Sequence, residues 1–144
     1  MKPSVSASYL DSLFVAREYD GLVWLSSLIC GSEAFDPQDP AYGLEPPLFL
    51  FVETLAWSAQ AMRSGVWTYF EATPIERQQW MLAHLKTMGP SELGERYESA
   101  MRTWRNPASV VAVDEWIAEN EQRNNAFLWT LAVQNRLLIN QLLR

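Results

Sequence analysis

Apolar residues return at three- and four-residue intervals along most of this chain, and that spacing commits it to helices. Tyr9, Leu10, Leu13 and Phe14 follow serines able to cap, so a first helix is expected from about Ser6 to Glu18. Asp20 opens a second, carrying Leu22, Val23, Leu25, Leu28 and Ile29 and stopping at Gly31, unless the two form one rod. Pro46 and Pro47 suit a helix entrance, where their missing amide hydrogens would be unpaired anyway. Their helix runs to about Ser64 with Leu48, Phe51, Val52, Leu55, Ala59 and Met62 as its stripe. Gly65 breaks or bends it before an aromatic turn of Trp67, Tyr69 and Phe70, which the glycine's freedom turns inward. Thr73, Pro74 and Glu76 then spell a capping box ahead of a helix that buries Ile75, Met81, Leu82, Leu85 and Met88 and ends at Gly89 and Pro90.

A further helix from about Pro90 to Trp104 packs Leu93, Tyr97 and Met101 until Asn106 and Pro107 stop it. The β-branched run Val110 to Val113 would be a lone strand with nothing to pair with, so it reads as the approach to a helix from about Asp114. The last helix, about Asn124 to Leu143, has a broad apolar face and belongs at the centre. The chain is therefore expected to be all-α, a single helical domain over residues 1–144 with about six helices and one long acidic, proline-rich loop. That loop, Ser32 to Pro47, holds four of the eight prolines, and a structureless connection of this length is usually functional or mobile.

Hydrophobic residues make up 49% and charged residues 19%, enough apolar surface to offset chain entropy over most of the length. One cysteine and one histidine exclude a disulfide framework and a zinc site built from Cys and His of a single chain. Cys30, among Leu28, Ile29 and Gly31, reads as a buried thiol. No run approaches the roughly 20 apolar residues of a membrane span, and the early acids do not follow signal-peptide order, so a cytoplasmic protein without a membrane partner is expected.

Charge placement is the informative feature. From Met1 to Leu55 eight acids face two bases, whereas from Ala56 onward nine acids face nine bases, so the net charge of −6 belongs to the first third. Between Arg17 and Arg63 there are seven acids and no base. Direct nucleic-acid binding by phosphate neutralisation is disfavoured. Acids in a loop can simply be solvated. Alternatively, Glu33, Asp36, Asp39 and Glu45 form a negative surface that steers and docks a basic partner, with Phe35, Tyr42 and Leu44 as apolar anchors. Calcium is the weakest reading, because the acids lack the alternate-residue ligand spacing of a calcium loop. A second acidic run, Asp114, Glu115, Glu119 and Glu121, reads as charge at a helix start.

Catalytic patterns are largely missing from the sequence. Gly89 to Gly94 has phosphate-loop glycine spacing but is followed by Glu95, and there is no Gly-x-Ser-x-Gly elbow. His84 shares a helix face with Arg77, Trp80 and Thr87, as a partly exposed structural histidine would. Most of the seven tryptophans should be core, with Trp67 and Trp80 as candidate interface anchors. No catalytic residue, metal or cofactor is expected.

The run Arg63-Ser64-Gly65-Val66-Trp67-Thr68-Tyr69-Phe70, preceded by Glu53 and followed by a helix ending Leu85-Lys86-Thr87-Met88-Gly89, resembles a bacterial family of small helical proteins. Members carry an Asn-Gly-Gly-Phe-x-Gln-Phe-Phe-like turn, from which Ser64, Val66 and Thr68 depart here. The family includes a DNA mimic, an acidic dimer that occupies the DNA-binding surface of a regulator, and immunity-type proteins carried beside toxins. The resemblance, over about Glu53 to Met101, implies a helical, non-enzymatic inhibitor that covers a basic surface of a toxin or of a DNA-binding protein, with a homodimer in the mimic version. An enzyme and a scaffold are the remaining alternatives.

Overall fold

The computed structural model describes residues 6–143 and, among them, contains nine helices and no strand. They are α1 (Ala7–Ala16), α2 (Tyr19–Cys30), α3 (Pro46–Ser64), α4 (Val66–Ala72), α5 (Ile75–Met88), α6 (Ser91–Thr103), α7 (Pro107–Glu119), α8 (Glu121–Gln134) and α9 (Arg136–Leu142). The all-α expectation stands, while the count of about six is corrected upward: α1 and α2 are separate helices, the aromatic turn is a helix and the terminal helix is divided.

The aromatic turn after Gly65 is itself a helix, α4. Gly65 has φ +96°, so the chain leaves α3 through a conformation that L side chains avoid and re-enters a helix at once. The Asp114 side chain accepts the amide hydrogen of Val66 at 2.8 Å and caps the new helix from 48 residues away. Asp114 thus lies inside α7 and serves another helix's start, not its own as the sequence suggested.

Asn106 and Pro107 end α6 and also begin α7. The Asn106 side chain accepts from the Ala108 amide, and Pro107 occupies the first turn with φ already set. Val110 and Val113 are buried in that helix, where packing overrides their β-branched preference. The long terminal helix is divided at Asn135, whose side-chain amide donates to the Leu131 carbonyl at 2.8 Å and competes with the backbone pattern there.

Helix α3 is the central element, a role the sequence gave to the terminal helix. Leu48 to Leu55 are all buried, as are Trp57 and Ala61, and α3 packs against α2, α4, α5, α7 and α8. A helix apolar on every side must be surrounded. The buried side chains form one continuous cluster. Arg17, at φ 51°, separates α1 from α2 and donates its amide to the Leu13 carbonyl. The capping box at Thr73 does not form: Pro74 is the N-cap of α5 and gives no side-chain cap, and Gln78 instead donates to the carbonyls of Phe70 and Thr73. Among the described residues no helix is long and apolar enough to cross a membrane.

Candidate docking surface

The segment between α2 and α3 is a folded loop held by its own acids. The Asp36 amide donates to the Tyr42 carbonyl at 2.8 Å and pinches residues 36–42 into a closed turn. Asp36 Oδ1 accepts from the Gln38 amide, and Asp39 Oδ2 accepts from the amides of Ala41 and Gly43, all at 2.9 Å. Tyr42 and Gly43 both take positive φ, 58° and 68°. Gly43 is required twice over, since a Cβ there would lie 2.8 Å from the Ala34 carbonyl oxygen.

Arg77 of α5 fastens the loop from outside. Its guanidinium donates to the carbonyls of Pro37, Asp39 and Pro40, each at 3.0 Å, and lies 4.1 Å above the Tyr42 ring. Tyr42 fastens it from inside, donating its hydroxyl to Glu53 Oε1 at 2.6 Å. Glu53 is 1% exposed, and its other oxygen accepts from Tyr69 at 2.6 Å, with Tyr97 2.9 Å behind Tyr69. Burial, reinforced by the Glu53 charge, pushes the Tyr42 and Tyr69 hydroxyls far above their ordinary range. Burial does the same for Tyr97. Burial also raises the half-buried Cys30 thiol, against a hydrogen bond from Ser26 that lowers it.

The five predicted docking residues therefore divide. Glu33, Asp36 and Glu45 are exposed, and Asp39 is half-buried with its carboxylate occupied by two loop amides. Tyr42 is a half-buried latch and not an outward anchor. Phe35 packs on the Tyr42 ring at 4.8 Å and Leu44 is buried, so the proposed apolar anchors face the core. Glu53, counted with the acidic run, is interior. The ion pairs among the described residues involve other acids: Lys86 and Arg102 with Glu98, Arg96 and Arg123 with Glu92, and Arg136 with Asp11. Arg77 offsets part of the loop's charge, but it binds carbonyls, and Glu33, Asp36, Asp39 and Glu45 make no ion pair among the described residues.

Sequence reasoning missed Arg77 and the inward role of Glu53. The signal for the second was present: Glu53 stands amid the longest apolar stretch of α3, where an acid has no water to turn to. Of the tryptophans, Trp57, Trp116 and Trp129 are buried, Trp104 is partly so, and Trp24, Trp67 and Trp80 are exposed. Trp67, expected to turn inward with Tyr69 and Phe70, points out. No group of His, Cys, Asp or Glu among the described residues is arranged to hold a metal.

These features define a class: an all-helical domain with an ordered acidic loop between its second and third helices. No protein-family model, curated protein or solved structure matches the chain.

Proposed function

We propose that the protein acts by binding, presenting the loop between α2 and α3 to a basic protein surface, and that it serves as an immunity-type inhibitor covering the functional groove of a toxin. The observation that carries this is the state of Glu33, Asp36, Asp39 and Glu45: four carboxylates on a loop held rigid by Arg77 and Tyr42, none in an ion pair among the described residues. Ordered, unneutralised charge raises association rates and selects oppositely charged partners, and a rigid loop loses little entropy on docking. The same chemistry directed at a DNA-binding regulator is the alternative version.

The test uses the product of the gene adjacent to this one. Co-expression should rescue growth, and binding should weaken about tenfold or more between 50 and 300 mM salt, an order-of-magnitude expectation for steered charge. Glu33→Lys with Glu45→Lys should weaken it further, because neither carboxylate holds the loop together. Asp36→Asn with Asp39→Asn removes charge while leaving an acceptor for each loop amide. Binding unchanged by both pairs refutes the docking role, and release of DNA from a regulator on addition of the protein selects the alternative.

A further inference from the structure

Trp80 lies on the outer side of α5 with 45% of its surface exposed, at a recess lined by Glu76, Gln79, Trp80 and Ala83. It is not a loosely placed side chain. Its ring stacks on His84 at 5.3 Å and 25°, His84 meets Phe49 edge-on at 5.9 Å, Phe49 meets Tyr42 at 5.7 Å, and Tyr42 stacks on Phe35 at 4.8 Å. Five rings thus run without interruption from the acidic loop to the outer surface of α5. The same helix supplies Arg77, which is committed to the loop carbonyls.

Glu76 is one turn before Trp80 and shares its face, is exposed, and makes no ion pair among the described residues. Ala83, the smallest of the lining side chains, is exposed. Burial lowers the proton affinity of His84, which keeps the ring beneath Trp80 uncharged at neutral pH. An indole face backed by a neutral ring, with a carboxylate lining the same recess, suits a planar cation: stacking on the face provides the π-contact while its N–H groups turn to the carboxylate. A nucleic-acid base would stack as well, but its phosphates would approach an acidic loop.

We infer that Trp80 and Glu76 form the arginine-receiving anchor of the docking surface, taking a guanidinium side chain of the basic partner. This rests on the binding role proposed above and names the chemistry it recognises.

The test records 1H–15N spectra of the full chain during titration with an eight-residue peptide of alternating glycine and arginine, and with its lysine counterpart. The Trp80 indole resonance is assigned from Trp80→Phe. The arginine peptide should shift the Trp80 indole together with the amides of Gln38 and Gly43, and should bind several-fold more tightly than the lysine peptide. Trp80→Ala should weaken it about 3- to 30-fold, the range of a cation on an aromatic face, and Glu76→Gln by less, while Trp80→Phe retains most of the affinity. Trp80 is half exposed, so its variants should fold, which their melting curves check. If loop amides shift while the Trp80 indole does not, the anchor is refuted and the acidic docking surface survives. If the indole shifts and the loop is silent, the anchor stands and the loop's role falls. Equal binding of both peptides refutes the guanidinium preference, and no response anywhere removes both.

Discussion

Glutamine at position 53 is the sharpest perturbation available, because it changes chemistry at a buried point without changing shape. The Glu53 oxygens each accept a tyrosine hydroxyl at 2.6 Å. An amide retains one acceptor and replaces the other with a donor, so one hydroxyl must turn to accept from the NH2 group and its own hydrogen loses the Glu53 partner. Each group left unpaired in the interior costs about 1–3 kcal/mol, and the surviving bond loses its charge assistance, roughly another 1 kcal/mol. Removing a buried charge returns part of this. The return is limited, because two hydroxyl donors already stand in for much of the carboxylate's hydration. The net expectation for Glu53→Gln is a loss of about 2 kcal/mol. With a urea slope of roughly 2 kcal/mol per molar for a chain of this size, the unfolding midpoint should fall by about 1 M. In a Tyr42→Phe background there is no hydroxyl hydrogen at position 42 to strand, so the same substitution should cost about 1 kcal/mol less if the amide nitrogen faces position 42. Amide exchange at Asp36 and Tyr42 should also quicken in Glu53→Gln, since the loop's inner latch is weakened. A change within 0.5 kcal/mol for Glu53→Gln and also for Tyr42→Phe would refute the assignment of Glu53 as the pivot.

Three other outcomes follow from the same structure. Asp114→Ala should cost about 1–2 kcal/mol by orphaning the Val66 amide, whereas Asp114→Asn keeps an acceptor and avoids burying a charge, so it should lie within about 0.5 kcal/mol of the parent or above it in thermal unfolding. Tyr42, Tyr69 and Tyr97 all have raised hydroxyl pKa values in the fold, so the native chain holds these protons after the unfolded chain has released them. Their contribution is therefore complete below pH ~10, the ordinary tyrosine value, and is lost as pH rises beyond it, which urea midpoints between pH 8 and 11 should show and Tyr97→Phe should lessen. Gly43→Ala should destabilise by about 1–2 kcal/mol, since the left-handed backbone and the Ala34 carbonyl both oppose a Cβ, and exchange should quicken in residues 36–43 before it does in α3.

Fold class was legible because helical spacing is a local property that burial rarely overturns. Helix boundaries were not, because three of them depend on remote or dual-use residues. The Val66 amide that opens α4 is capped by Asp114, and residues 48 apart leave no trace of that in a spacing pattern. Asn106 and Pro107 were read as a stop, yet the features that end α6 are those that start α7. Asn135 breaks a stripe that stays apolar across the break, with Leu131 and Ile139 buried on either side.

The loop's acids illustrate a more general difficulty. A carboxylate in an unneutralised run can be spent on solvent, on a partner or on the backbone beside it, and composition does not separate these uses. Asp39 is spent on the amides of Ala41 and Gly43, and Asp36 on that of Gln38, whereas Glu33 and Glu45 bind no amide among the described residues. The two aspartates therefore shape the surface and the two glutamates only charge it. Reversing all four together would confound loop collapse with lost attraction. The arginine that folds back from the second half of the chain offsets part of the negative field, but Arg77 donates to three carbonyls instead of pairing with a carboxylate, so it holds the acids in place without tying one up. A charged loop that is both fastened and unpaired has lost most of its conformational freedom before any partner arrives, which makes its charge available for selection by a complementary surface.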